Sequence, residues 1–165
     1  ADVAKSAWEV LTQCNWHRCT YVLPYTADGH MLFQRRAAWK WRMGGLIDIG
    51  ASETVEQKES YREAALRSVT EKLGTLTRVE AMEECCSLSL VWTGFMPQMK
   101  VCEQSHNTLF RARINASQLG GVRDSEVEAL FFWTHAEFLA EVKRDPFQFA
   151  PWVHAVWLGC PRCFE

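Results

Sequence analysis

Ser68, Glu71 and Lys72 stand at i, i+3 and i+4 in the run RSVTEKLG, residues 67–74. On a helix that spacing puts three side chains on one face. Three carboxylates there would offer a hard divalent cation several of the oxygens it requires. The chain supplies one. Ser68 offers only a neutral hydroxyl, and Lys72 brings a fixed positive charge to the place where a cation would bind. At ~4 Å and an effective dielectric of ~20, repulsion between two unit charges is about 4 kcal/mol. That corresponds to roughly a thousandfold in affinity. Arg67 can pair with Glu71 or with Glu59. Two chemistries follow: a retired metal site on a retained helix, or a site where Lys72 itself holds a phosphate.

The helix that must carry these residues is legible. Ser60 and Glu63 form the S-x-x-E pattern of a capping box, and Gly74 provides the stop. The spacing predicts a helix from there to about Leu73, with Leu66, Val69 and Leu73 buried. Ser68, Glu71 and Lys72 then face a cleft or water. Residues 19–25 and 31–36 read as strands joined by a turn at Asp28-Gly29. LIDIG reads as a short apolar strand, and residues 86–95, 108–114 and 126–133 as further strands. Thr134 and Glu137 make a second capping box for a helix to about Lys143. Asp145-Pro146 can start another helical segment, interrupted at Pro151. Strands and helices alternate without a strict βαβ rhythm, so a mixed sheet packed between helices is expected.

The 165 residues are 48% hydrophobic and 23% charged, with a formal net charge of −2, a balance suited to one compact domain spanning 1–165. No apolar run is long enough for a membrane span. The charge excludes a global polyanion signal and leaves only a local patch. Seven cysteines are an odd number in a chain of this length. A disulfide framework is therefore not expected, and an intracellular, reducing compartment is. The chain starts at Ala1, which suggests a processed piece. A mitochondrial location is open if a targeting segment was removed.

Three pieces, HRCTYVLPYTADGHMLFQRR, WKWRMGGLIDIG and ESYREAALRSVTEKLG, together resemble the Nudix hydrolases. The branch they resemble is the one related to isopentenyl diphosphate isomerase. The C-terminal EVEALFFWTHAEFLAEVKRDPFQFAPW is similar to that branch's ending. The resemblance implies the Nudix fold: α/β (α+β), with a mixed sheet sandwiched between helices. It places the signature region at 53–75 and a C-terminal helical segment at 134–158. The signature, G-x5-E-x7-R-E-U-x-E-E-x-G-U, has U as an aliphatic residue. Glu59, Arg67, Val69, Glu71 and Gly74 match it. Glu53 replaces the leading glycine, Ser68 and Lys72 replace two of the glutamates, and Thr75 replaces the last aliphatic residue. The family's helix acids bind Mg²⁺ or Mn²⁺ bridging a diphosphate. If the chain is active, the resemblance makes Glu59 and Glu71 catalytic and Glu59, Glu63 and Glu71 the metal ligands, with help from Glu53. The isomerase's cysteine and metal-binding histidine correspond to Ser52 and Thr54, which can do neither job. Thr108 stands where the branch often carries an acid.

Arg35 to Arg42 interleave cations with Trp39 and Trp41, a pattern suited to phosphate and base contacts. A solvated strand end with packed tryptophans is the plainer reading. The candidate ligand-binding residues are Arg36, Lys40, Arg42, Arg67 and Lys72. Cys14, Cys19, Cys160 and Cys163, with His17 nearby, offer a composite zinc site of uneven spacing. Glu83, Glu84 and Glu103 read as solvated strand ends, and Cys85, Cys86 and Cys102 as core cysteines. Phe147, Phe149, Trp152 and Trp157 complete the core or form a docking face.

The preferred reading is a degenerate Nudix domain without ordinary hydrolase activity and without a cofactor. It would be a binding or structural subunit of a larger protein or ribonucleoprotein assembly, meeting other protein subunits through aromatic-rich surfaces. The alternatives are an active Mg²⁺- or Mn²⁺-dependent pyrophosphohydrolase of nucleoside diphosphate derivatives, and a non-cleaving binder of nucleotides or RNA 5′ ends.

Overall fold

The computed structural model describes residues 6–96, 99–120 and 124–165. Seven strands form one mixed sheet. These are β1 (His17–Tyr25), β2 (Met31–Arg36), β3 (Ile47–Ile49), β4 (Ala51–Thr54), β5 (Val79–Met96), β6 (Met99–Ile114) and β7 (Val127–Trp133). Four α-helices accompany them: α1 (Ala7–Thr12), α2 (Tyr61–Leu73), α3 (His135–Arg144) and α4 (Pro151–Gly159). The main strand order is β3-β2-β1-β6-β5, with β4 paired to β1 and β7 to β2. β1 and β6 run parallel from His17↔Ser105 to Tyr25↔Arg113, and the other pairings are antiparallel.

Successive strand residues face opposite sides of a sheet, and here each side has its own core. Val22, Leu32, Phe110, Ala112 and Ile114 pack under Ala65, Val69 and Leu73 of α2. Tyr21, Leu23, Phe33, Ile49 and Leu109 pack under Phe138 of α3 and Trp152, Val153 and Val156 of α4. This is the expected sheet between helices.

The capping box of α2 forms as expected: Ser60 Oγ accepts from the Glu63 N–H, and Glu63 Oε2 accepts from the Ser60 N–H at 2.8 Å. Thr134 and Glu137 do the same for α3. Ser6 and Glu9 cap α1, a short helix the sequence reading passed over. Pro151 starts α4 instead of interrupting it, because proline at a helix start gives up no needed N–H. Gly74 sits at φ 106°, and a Cβ there would lie 2.0 Å from the Gly120 carbonyl oxygen. That close approach accounts for glycine at the end of α2.

The buried face of α2 differs from the expected stripe. Val69 and Leu73 are buried, but Leu66 is 42% exposed. Ala64, Ala65, Ser68 and Lys72 are buried instead. Small residues let α2 approach the sheet closely, and the polar Ser68 is satisfied by donating to the Ala65 carbonyl at 2.8 Å.

The cysteines also depart from expectation. Cys14 pairs with Cys102, Cys85 with Cys163 and Cys86 with Cys160, leaving Cys19 free. Partners are 74 to 88 residues apart in sequence, so only the fold brings them together. Counting parity cannot see this. The same arrangement separates the composite of Cys14, Cys19, Cys160 and Cys163, whose members go to three different places.

Candidate functional site

A cavity of about 250 Å³ opens beside β1, β2 and β4. The loop after β2 and helix α1 supply further wall. Trp39, Trp41 and Trp152 line it, together with Tyr21, Ser52 and Thr54. The loop after β2 is tightly folded, with the Gly45 N–H donating to the Arg36 carbonyl at 3.0 Å and the Arg36 N–H to the Leu46 carbonyl at 2.9 Å. A Cβ on Gly44 would come within 2.5 Å of the Ala38 carbonyl oxygen. α1 closes one side through Leu11, and Trp8 meets Trp41 edge-on with centroids 5.2 Å apart.

Lys72 projects from the last turn of α2 into this cavity wall and is only 4% exposed. Its Nζ lies 3.0 Å from Glu53 Oε1, 3.0 Å from Asp124 Oδ2 and 2.8 Å from Glu126 Oε2. Glu53 arrives on β4, and Asp124 and Glu126 on the approach to β7. An ammonium has three hydrogens to donate, and three carboxylates surround it. Burial alone would lower its pKa; Glu53, Glu126 and Asp124 overcome that and hold it well above the ordinary lysine value. Glu126 also takes Lys40. Burial pushes the Glu126 carboxyl up, but Lys40 and Lys72 bring it down to about 2.

A second charge cluster forms around Glu103, which is 3% exposed. His17 Nε2 lies 3.2 Å from Glu103 Oε1, and Arg42 pairs with Oε2. Burial would raise the Glu103 pKa; bonds from His17 and Ser105 and the Arg42 charge bring it to about 2. Burial would lower that of His17, yet Cys19 and Glu103 raise it to about 10. Ligand atoms of His17, Cys19 and Glu103 lie within 4.8 Å of one another. Glu103 is therefore no solvated strand end: β6 continues well past the predicted segment and carries it into the interior.

Asp48, fully buried, lies behind the cavity wall and holds two of its lining residues. It accepts from Arg36 Nη1 at 2.8 Å and from the Trp152 indole N–H at 2.7 Å. Arg36 and Arg42 both lie over the Trp152 ring, at 5.3 and 4.4 Å from its centroid. This joins the tail helix α4 to the cavity.

Of the candidate ligand-binding residues, Arg36, Lys40, Arg42 and Lys72 all line the cavity. Each already has a carboxylate of the chain as partner. Arg67 lies apart, giving two 2.9 Å hydrogen bonds to Glu59 and approaching Glu71 to 3.5 Å. The candidate acids are drawn elsewhere: Glu59 to Arg67, Glu63 into the capping box, and Glu71 toward Arg67. Glu56, Glu59 and Glu71 surround the Arg67 guanidinium, and Glu53, Asp124 and Glu126 surround an ammonium. This donor set does not fit Mg²⁺ or Mn²⁺. Asp124 and Glu126 could not be found from the signature, because they lie some fifty residues beyond it and reach Lys72 only in the folded chain. Their one sequence signal is a run of acids before a strand.

No family model matches the chain. It is 35% identical over 66 residues to the uncharacterized Nudix hydrolase YfcD of Escherichia coli, covering 40% of this chain. That match spans 37% of the relative's length, little more than a third. An uncharacterized Nudix hydrolase of Rhodococcus erythropolis is 26% identical over 138 residues, covering 82% of this chain and 72% of that one. Among solved structures, a MutT Nudix hydrolase from Burkholderia pseudomallei aligns with TM-score 0.57 at 16% identity, covering 74% of this chain and 85% of that one. The Nudix domain of Shewanella oneidensis NrtR, crystallised with ADP-ribose, aligns with TM-score 0.54 at 16% identity, covering 76% and 77%.

Proposed function

We propose, taking as premise that this chain is a homologue of the Nudix hydrolases, that its cavity binds without hydrolysing. The observation that carries this reading is Lys72. Its ammonium is buried among three carboxylates, on the helix face where the family's acids would gather a divalent cation. An ammonium cannot polarise a phosphoryl oxygen as a bridging metal does, and it cannot lower the pKa of a bound water. The displaced acids Glu59, Glu63 and Glu71 serve structure instead.

What the cavity would admit follows from its lining. Trp39 and Trp41 are 66% and 40% exposed, available for stacking on a flat base. The cations below them are already neutralised by carboxylates, which disfavours a highly charged polyphosphate. A nucleoside or a lightly charged nucleotide derivative suits this balance, and one structural neighbour's bound ADP-ribose is compatible with it. The chain would then serve as a binding or structural subunit. Exposed aromatics such as Trp16 and Phe147, the latter 87% exposed, are candidate contacts for protein partners.

The test is a hydrolysis panel of nucleoside diphosphate derivatives with millimolar Mg²⁺ or Mn²⁺. Wild type would run beside Ser68→Glu/Lys72→Glu. A silent wild type supports the proposal, and turnover gained by the double variant would strengthen it. Turnover by wild type that is lost in Glu71→Gln would replace it with the pyrophosphohydrolase reading.

A further inference from the structure

Adjacent residues on a strand normally point to opposite faces. Cys85 and Cys86 do not. The register of β5 against β6 slips between Glu84 and Cys86, and the extra residue of such a bulge re-aims the side chains beside it. Both cysteines pack against the core under α4. Cys160 and Cys163 meet them there from the other end of the chain. They stand at C-x2-C spacing around the 3₁₀ turn Pro161–Phe164, where the Cys163 N–H donates to the Cys160 carbonyl at 3.0 Å. The sulfurs of Cys86, Cys160 and Cys163 lie within 4.8 Å of one another; in the oxidised form described above, Cys85 is bonded to Cys163 and Cys86 to Cys160.

Two disulfides between these same two short segments would be redundant. Once Cys85–Cys163 closes the long loop, Cys86–Cys160 closes almost no new one, and the stabilisation from a cross-link grows with the loop it closes. A single ion uses all four sulfurs together. Four cysteines from two segments, one of them a C-x2-C turn, are the donor set of a closed tetrahedral zinc centre.

We propose that Cys85, Cys86, Cys160 and Cys163, in their thiol form, bind one structural zinc ion. Four thiols lose four protons and four thiolate–zinc bonds form, and no electron is transferred. The ion would clamp the end of α4 to β5. Since Trp152 on α4 lines the cavity, the clamp would also fix that part of its wall. This inference is independent of the reading of Lys72.

The experiment starts with the full chain produced in a zinc-replete, reducing host. Metal analysis should find about one zinc per chain. Cobalt exchanged under reducing conditions should give the intense thiolate-to-cobalt charge-transfer band of a tetrahedral site. Both signals should fall to background in Cys160→Ser/Cys163→Ser and persist in Cys14→Ser/Cys102→Ser. Wild type alone decides the matter if the first variant fails to fold. Zinc-free wild type that yields Cys85–Cys163 and Cys86–Cys160 disulfide peptides on non-reducing mapping would overturn the proposal. Zinc-free wild type with four free thiols would overturn it equally.

Discussion

Lys72 and Glu103 line the same cavity with opposite arrangements. In one cluster a cation is the hub, and carboxylates arrive from β4 and from the approach to β7. In the other an anion is the hub, and His17 and Arg42 arrive from β1 and the loop after β2. With Lys40 included, the first carries one net negative charge. With His17 protonated, the second carries one net positive charge. Together they balance. A buried charge persists only with partners that offset its desolvation, and both clusters meet that condition with residues of this chain. What differs is where each came from. The cation hub stands on the helix face where family resemblance calls for acids. The anion hub has no counterpart in the signature at all.

The largest expected effect comes from removing the cation hub. Lys72→Met leaves Glu53, Asp124 and Glu126 facing one another, and should cost about 3–5 kcal/mol, read as a lower urea midpoint. Added Mn²⁺ should return part of that loss, because the three carboxylates would then have a cation to hold. A variant as stable as wild type and indifferent to Mn²⁺ would mean that Lys72 is not the centre of its cluster.

The anion hub should show in the pH dependence. The His17 pKa is raised in the fold from 6.5 to about 10. Its contribution is therefore fully present below pH 6.5 and is lost as pH rises through about 10. Glu103 and Glu126 are lowered from 4.5 to about 2. Their contribution is present above pH 4.5 and is lost as pH falls through about 2. Stability measured by denaturant titration should be highest between these limbs, and His17→Asn should flatten the alkaline one. An alkaline limb unchanged in that variant would assign it to another group.

Glu103→Gln should cost less, about 2 kcal/mol near pH 6, because the amide can still accept one hydrogen bond. It should also return His17 toward an ordinary titration, visible by NMR. The smallest effect belongs to the helix face turned away from both clusters. Leu66→Ser should change stability by no more than about 0.5 kcal/mol, whereas Leu73→Ala on the buried face should cost about 2–5 kcal/mol. Equal losses from the two would restore the stripe predicted from spacing.

Much of the fold was legible because its signals are local. Capping boxes at Ser60 and Thr134 lie within four residues, and the Asp28-Gly29 turn lies between two short apolar runs. The partners of Lys72 were not legible. Asp124 and Glu126 become its neighbours only when β7 joins β2 and the chain returns past α2, a non-local event. Leu66 was misplaced because a hydrophobic residue fits the periodic stripe, while the true contact surface of α2 uses Ala65 and Ser68 for close approach. Glu103 reads as solvated in the sequence because charged residues seldom sit inside, and its two cationic partners lie far off in sequence.

An ammonium at the end of a side chain does not dissociate from the protein as a bound metal ion does. A magnesium site empties when a chelator or competing nucleotide strips it, but the positive charge among Glu53, Asp124 and Glu126 cannot diffuse away. Its occupancy is set when the chain is made and stays constant across any change in the supply of free metal. Such a centre cannot be switched on or off by the supply of free metal.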